Sequence, residues 1–241
     1  MDDLNIPGLL HAAIVRSAHA HARIRAIRTD AARAVPGVVA VLTLADLPEC
    51  TNAVPPLIGV SVLRPYHQPV LAGDETRHVG EAVAVVVAED PYRAADGTHA
   101  VVVDYEPLPA AATVDAALAP DAPRVHAAWP SNDAGASVGD VGDVAAGFAA
   151  ADVVVDGAFA VPRIAGTPIE PRGVVAEPAA SDGRFTVWIS TQVPFAVRAG
   201  IAGVLGMSEE RVRVIAPDVG GGFGVKGHVY PEDLLIPAVA R

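Results

Sequence analysis

Every position of the run Ala82–Ala88, AVAVVVA, is alanine or valine. A strand with one wet face would alternate polar and apolar residues, so this run predicts a strand buried on both faces. Glu89 and Asp90 follow, then Pro91, a residue suited to a first helical turn that acidic neighbours also favour. The pattern predicts a helix from Tyr92 to about Ala100, then a strand over Val101–Tyr105 closed by Glu106-Pro107-Leu108-Pro109-Ala110. Ahead of it, Leu9–Arg16 and Val38–Leu42 are apolar runs of strand length, the second introduced by the turn pair Pro36-Gly37. The first half therefore reads as α+β with one strand–helix–strand step.

Hydrophobic residues make up 51% of the 241-residue chain and aromatics only 5%, so its cores must be built from Ala, Val, Leu and Ile. That length allows one or two domains, either able to bury a core. Seventeen Lys and Arg stand against 28 Asp and Glu, a net charge of −11. Nucleic-acid binding, which needs a basic face, is excluded on that balance. Cys50 is the single cysteine, so the chain has no internal disulfide, no cysteine-based zinc site and no iron–sulfur cluster of its own. No motif surrounds Cys50, which reads as a small buried or loop thiol rather than a nucleophile. The first residues are acidic and lack a signal-peptide core, and no apolar run nears the roughly 20 residues of a membrane span. The expectation is a cytoplasmic protein without membrane insertion.

From about Ala110 to Gly142 the chain is rich in Ala, Pro, Asp and Gly without a sustained period, and reads as a wrapping or bridging linker with a boundary near Trp129. A short helix is expected around Val144–Ala151, with strands at Asp152–Ala160, Val174–Glu177 and Phe185–Ser190. A helix from Pro194 to Leu205 stops at Gly206. Ser208 reads as a simple N-cap, and the strand Val212–Ala216 runs into the densest glycine cluster of the chain. Tyr230 to Arg241 begins as an amphipathic helix whose partners are expected downstream. For that reason, and because the strongest motif lies in the last quarter, the chain is expected to be a fragment.

Three tracts carry chemistry. Gly220-Gly221-Gly222-Phe223-Gly224 frees backbone N–H groups to form an anion-binding nest, a strand before it and a helix after; a tight turn without ligand is the plain alternative. The same region satisfies G-x-G-x-x-G at Gly222–Gly227 but lacks the second strand and acidic residue of a dinucleotide site, and Gly227 after Lys226 excludes a Walker A loop. Gln192, in Trp188-Ile189-Ser190-Thr191-Gln192-Val193-Pro194, sits where a strand passes into a helix; its carboxamide can donate to an oxo ligand or accept from a substrate, or simply cap a turn. In Pro168-Ile169-Glu170-Pro171-Arg172-Gly173 the prolines hold the backbone extended, with Glu170 and Arg172 on one side. They form either a surface ion pair or the rim of a pocket. His19 and His21 have the spacing of a strand-borne metal pair, but no third ligand is identifiable.

These tracts, in order, resemble the large subunit of the xanthine dehydrogenase, aldehyde oxidase and carbon monoxide dehydrogenase family. Gly139-Asp140 through Phe159 belongs to the match, as do Ile14-Val15-Arg16-Ser17, His19 to Ile24, Val79-Gly80-Glu81 and Val103 to Pro109. The resemblance implies an a/b hammerhead domain over 1–112, a linker over 113–138, and over 139–241 the beginning of an α+β molybdopterin-binding domain. It implies that Gly221, Gly222, Phe223 and Gly224 face the cofactor and that Gln192 hydrogen-bonds an oxo ligand. Glu170, Arg172 and Gly227 are expected on the substrate side, with no direct metal ligand and no catalytic residue in this chain, since the family's base lies downstream. Gly227 stands where purine oxidisers carry an acidic residue, which argues against a xanthine dehydrogenase proper.

The implied reaction is oxidation of an aldehyde, an N-heterocycle or carbon monoxide with oxygen from water. The implied cofactor is molybdopterin with molybdenum, in its cytosine dinucleotide form. Electrons would pass to iron–sulfur centres on a small subunit and FAD on a medium subunit, and the rest of the large subunit would be a further partner. On its own the chain is expected to be inactive. Two rival readings are a nicotinamide-dependent dehydrogenase built on G-x-G-x-x-G and a non-catalytic assembly module.

Overall fold

The computed structural model describes residues 4, 6–56, 64, 66–139, 141–179 and 182–241. Its strands are β1 (His11–Arg16), β2 (Ala22–Arg28), β3 (Val38–Thr43), β4 (Glu75–Thr76), β5 (Ala82–Ala88), β6 (Val102–Pro107), β7 (Val174–Pro178), β8 (Phe185–Ile189) and β9 (Val212–Ile215). Its helices are α1 (Asp30–Arg33), α2 (Pro91–Ala100), α3 (Val114–Leu118), α4 (Val144–Ala150), α5 (Pro194–Leu205) and α6 (Pro231–Ala240). Asp140, part of one motif above, and residues 1–3 and 5, part of the acidic start, lie outside the described residues.

β5 is the central strand of an antiparallel sheet ordered β1-β5-β3, and all seven of its residues are buried. Its two faces feed different cores. Val85 packs with Leu47, Cys50, Val70 and Leu71, whereas Val86 packs with Ala32, Val41 and Val101. Each fully buried valine contributes on the order of 1.5–3 kcal/mol relative to exposure. Helix α2 opens as its sequence predicts, with Pro91 in the first turn and the Asp90 carboxylate accepting from the Arg93 N–H at 2.9 Å. It lies so close that a Cβ added at Gly97 would stand 2.6 Å from Val86 Cγ1.

The strands flanking α2 do not share a sheet: β6 joins β2 and β4 in a second antiparallel sheet. The chain's parallel crossover lies in its second half, where β8, α5 and β9 form a strand–helix–strand unit with β8 and β9 parallel and β7 antiparallel on the other edge. Gly206 ends α5 in the left-handed region at φ 62°, as expected of a C-terminal stop. A single core crosses both halves, with Leu47, Cys50 and Leu71 packed together with Val187, Ile201, Leu234 and Leu235.

Four expectations are corrected. Asp152–Ala160 is not a strand: it lies out from the body, with Val155 86% and Phe159 94% exposed, and no described strand offers its backbone a ladder. Helix α6 already has partners within the chain, burying Leu234, Leu235 and Ala238 against β7 and α5. Ser208 makes no side-chain capping bond, and the turn after it, Glu209–Arg211, is a single 3-10 turn. The linker is partly ordered: it contains α3, and Asn132 binds the Val125 N–H and the Ala117 and Pro123 carbonyls at 2.9–3.0 Å.

Candidate cofactor site

The three tracts converge on one carboxylate oxygen. Glu170 Oε2 accepts from Lys226 Nζ at 2.8 Å, from Ser190 Oγ at 2.7 Å and from the Gly220 N–H at 2.7 Å. Only an ionised oxygen serves three donors well. The Lys226 hydrogen bond is the largest cause, followed by those of Ser190 and Gly220, of a carboxyl pKa held down at about 2. Lys226 is fully buried, and its own carbonyl accepts the Gln192 N–H at 2.9 Å and the Thr191 hydroxyl at 3.3 Å. Thus Lys226 holds the PIEPRG tract with its side chain and the Gln192 junction with its backbone.

The glycine loop is shaped around Gln192. A Cβ at Gly222 would stand 2.5 Å from the Gln192 carboxamide carbon and oxygen, so only glycine lets the side chain lie there. Gly221 and Gly224 take φ of 98° and 81°, and between them Phe223 takes φ 49°. A bulky residue held in the left-handed region is an outlier of the kind that marks functional loops, and the Phe223 side chain is 75% exposed. The Gly221 N–H is spent within the loop on the Val219 carbonyl, while Gly222 O and Gly224 O accept from Val225 and Gly227. The N–H groups of Gly222, Phe223 and Gly224 meet no acceptor among the described residues. The result is three successive free donors beside an exposed carboxamide, the composition of a nest for a polar, anionic group. No helix opens on the loop: α6 starts at Pro231, beyond Gly227, so the helix N-terminus expected of a nicotinamide fingerprint is not there.

Arg172 goes elsewhere than Glu170. Its guanidinium pairs with Glu232 at 3.1 Å and Asp233 at 3.5 Å and lies 3.8 Å over the Tyr230 ring. Arg16 of β1 reaches the same Glu232 at 2.7 Å, linking the first sheet to α6. Burial pushes Glu232 upward, but the bonds from Arg16 and Arg172 outweigh it, and the carboxyl lies below its ordinary value. Burial dominates at Asp233 and raises it to about 6, although its carboxylate caps the Tyr230 N–H at 2.9 Å.

Of the three residues expected on the substrate side, Arg172 and Gly227 line one cavity of about 820 Å³, together with Val193, His228 and Tyr230. Glu170 is not among its lining residues, because Lys226, Ser190 and Gly220 hold its carboxylate inside the loop junction. The expected same-side pairing of Glu170 with Arg172 is replaced by these two separate networks. His21 meets the Pro109 carbonyl through Nδ1 at 2.9 Å, and His19 packs on Tyr105. Sequence reading missed three participants. Lys226 gave a faint signal, a lone lysine between glycines. Ser190 gave none. Gly166, whose added Cβ would stand 2.7 Å from Val225, shows only in three dimensions how the stretch before PIEPRG lies on the loop.

Two family models match the chain. Residues 1–109 match the family model described as aldehyde oxidase and xanthine dehydrogenase, a/b hammerhead domain, and residues 125–241 match that described as molybdopterin cofactor-binding domain. The carbon monoxide dehydrogenase large chain of Afipia carboxidovorans is 38% identical over 95% of this chain and 29% of its own length. The nicotine 6-hydroxylase large subunit of Paenarthrobacter nicotinovorans is 36% identical over 100% of this chain and 29% of its own. The crystal structure of quinoline 2-oxidoreductase from Pseudomonas putida 86 superposes with a TM-score of 0.88 at 38% identity, over 100% of this chain and 30% of that one. The chain thus spans about 30% of the length of these relatives.

Proposed function

The chain belongs to the aldehyde oxidase and xanthine dehydrogenase family of molybdopterin-binding large subunits, and from that membership we propose that it forms one wall of a molybdenum hydroxylase active site. The observation that carries the proposal is the run of free N–H groups at Gly222, Phe223 and Gly224 with the Gln192 carboxamide lying over Gly222. This cradle fits an anionic, oxygen-bearing group: the glycines leave room, the amides donate, and the carboxamide can donate or accept. When bound, molybdopterin with molybdenum supplies the redox centre that takes two electrons as an aldehyde, N-heterocycle or carbon monoxide gains oxygen from water.

The chain's own residues bind and orient. Gly222, Phe223 and Gly224 would hold the cofactor through their amides, and Gln192 would fix a polar ligand beside them. Arg172 and Gly227 would border the substrate's approach. Glu170 is no base: with a pKa near 2 and three donors on one oxygen, it takes no proton at neutral pH. The family resemblance implies that the proton acceptor comes from beyond these residues. Domains at 1–112 and 139–241 joined by 113–138, the cytosine dinucleotide form of the cofactor, and iron–sulfur and flavin partner subunits complete the proposal. The exposed apolar stretch through Val153, Val155, Phe159 and Val161 supports a further partner, the remaining large-subunit polypeptide, because β-branched side chains in an extended segment need a sheet to cover them. Among the described residues no helix is long and apolar enough to cross a membrane. A cytoplasmic location belongs to the proposal.

The test is co-expression with the rest of a related large subunit and its iron–sulfur and flavin subunits. The complex is expected to hold stoichiometric molybdenum and release CMP on acid hydrolysis, whereas the isolated chain holds neither and shows no turnover. A complex that assembles without molybdenum, or an isolated chain that binds NAD tightly, would overturn the proposal.

A further inference from the structure

We infer that Glu170, with Lys226 as its counter-charge, is the positioning residue that sets the cofactor loop against Gln192. The inference rests on reading Gly222–Gly224 as that loop.

Two of the loop's attachments run through this pair. At its entry, the Gly220 N–H ends on Glu170 Oε2; at its exit, Lys226 Nζ ends on the same atom. Entry and exit are thereby pinned to one point, and the residues between them form an arch. That point is itself fixed from below by Ser190, the last residue before Thr191-Gln192, through its hydroxyl. The Lys226 carbonyl then takes the Gln192 N–H, closing a circuit from the arch to the carboxamide. Displacing Oε2 would therefore loosen the arch and shift Gln192 relative to Gly222, where the contact is too tight for even a methyl group.

The chemistry explains why a carboxylate and an ammonium are used. A neutral carboxamide oxygen offers no charge to hold three donors, and a buried ammonium without a counter-charge is costly. Gly220 must also be bare, since a Cβ there would meet Glu170 Cβ at 2.6 Å. A pair that served only to stabilise the fold would not need both ends of one loop on a single atom.

The test is amide hydrogen exchange on the purified chain, comparing wild type with Glu170→Gln, Ser190→Ala and the double variant Glu170→Gln/Lys226→Met. The double variant removes both charges together and so guards against a single variant that fails to fold through an unpaired buried ammonium. Exchange at Gly220, Val225 and Gln192 is expected to accelerate about tenfold or more in Glu170→Gln and in the double variant, and less in Ser190→Ala, as befits loss of charge-assisted hydrogen bonds. Exchange in β5, at Val85 and Val86, is expected to stay at the wild-type rate. Unchanged exchange at the three loop amides, or equal acceleration in loop and β5, would overturn the positioning role. In the co-expressed complex, molybdenum retention is expected to fall about tenfold with Glu170→Gln. Accelerated loop exchange in the variants, together with a wild-type complex that never takes up molybdenum, would leave the positioning role standing and overturn the cofactor reading instead.

Discussion

Replacing Asp233 by asparagine should stabilise this protein at neutral pH and do almost nothing in acid. Asp233 lies in the first turn of α6 with its side chain 7% exposed, and burial raises its carboxyl from 3.8 to about 6 against the opposing pull of the Tyr230 N–H and Arg172. A raised acid is protonated more readily in the folded chain than in the unfolded one. Its contribution is therefore complete below pH 3.8 and is lost as pH rises through about 6. A shift of about two units corresponds to roughly 3 kcal/mol, at about 1.4 kcal/mol per unit. Asparagine keeps an oxygen to accept the Tyr230 N–H and carries no charge to desolvate, so it escapes this loss.

The assay is urea unfolding of both proteins from pH 3.5 to pH 8, read as the difference in unfolding free energy at each pH. Groups common to both, among them His126, whose buried ring titrates below its ordinary value, cancel in that difference. The two proteins are expected to coincide near pH 3.5 and to part between pH 4 and pH 6, with the variant ahead by about 1–3 kcal/mol at pH 7. If the variant were instead less stable at pH 7 than at pH 4 relative to wild type, attraction to Arg172 would outweigh desolvation and the reasoning would be wrong.

Three further outcomes follow from the same geometry. Glu170 titrates in the opposite sense: its carboxyl is lowered from 4.5 to about 2, so its stabilisation is complete above pH 4.5 and is lost as pH falls towards 2. Acid unfolding followed by circular dichroism should accordingly be flatter over that range in Glu170→Gln than in wild type. Gly222→Ala should fold, since its backbone is not in the left-handed region, but the methyl group displaces the Gln192 carboxamide; the assembled complex should lose molybdenum, measured by mass spectrometry, with the thermal midpoint of the isolated chain nearly unchanged. Gly97→Ala should destabilise by about 1–2 kcal/mol in denaturant, because overpacking against Val86 outweighs the gain of about 1 kcal/mol in helix propensity.

What the sequence disclosed and what it hid divide along one physical line. Elements whose own residues carry their signal were legible: the all-apolar β5, the Asp90-Pro91 start of α2, and α5 between Pro194 and Gly206. β2 gave little, because three arginines break its apolar face, and it is defined by pairing with β6 far along the chain. Asp152–Ala160 has the composition of a strand, yet a strand exists only when a neighbour takes its hydrogen bonds, and composition cannot report that neighbour.

The site divides in the same way. Gln192 and the glycine loop stood out because their chemistry is local: a carboxamide at a strand–helix junction and a backbone freed by glycine. Glu170 also stands out, but as half of a surface ion pair or as a pocket rim, since its prolines and its spacing from Arg172 speak only of the extended segment around it. Its actual partner is 56 positions away and buried, and its meeting with Lys226 depends on β8 carrying Ser190 beneath both. An ion pair of that kind writes nothing into either neighbourhood except two bare glycines, Gly220 and Gly222, at the points where side chains from other tracts press on the loop. Read as contact points rather than as a turn, those glycines would have pointed to Glu170 and Gln192 as the groups the loop is built around.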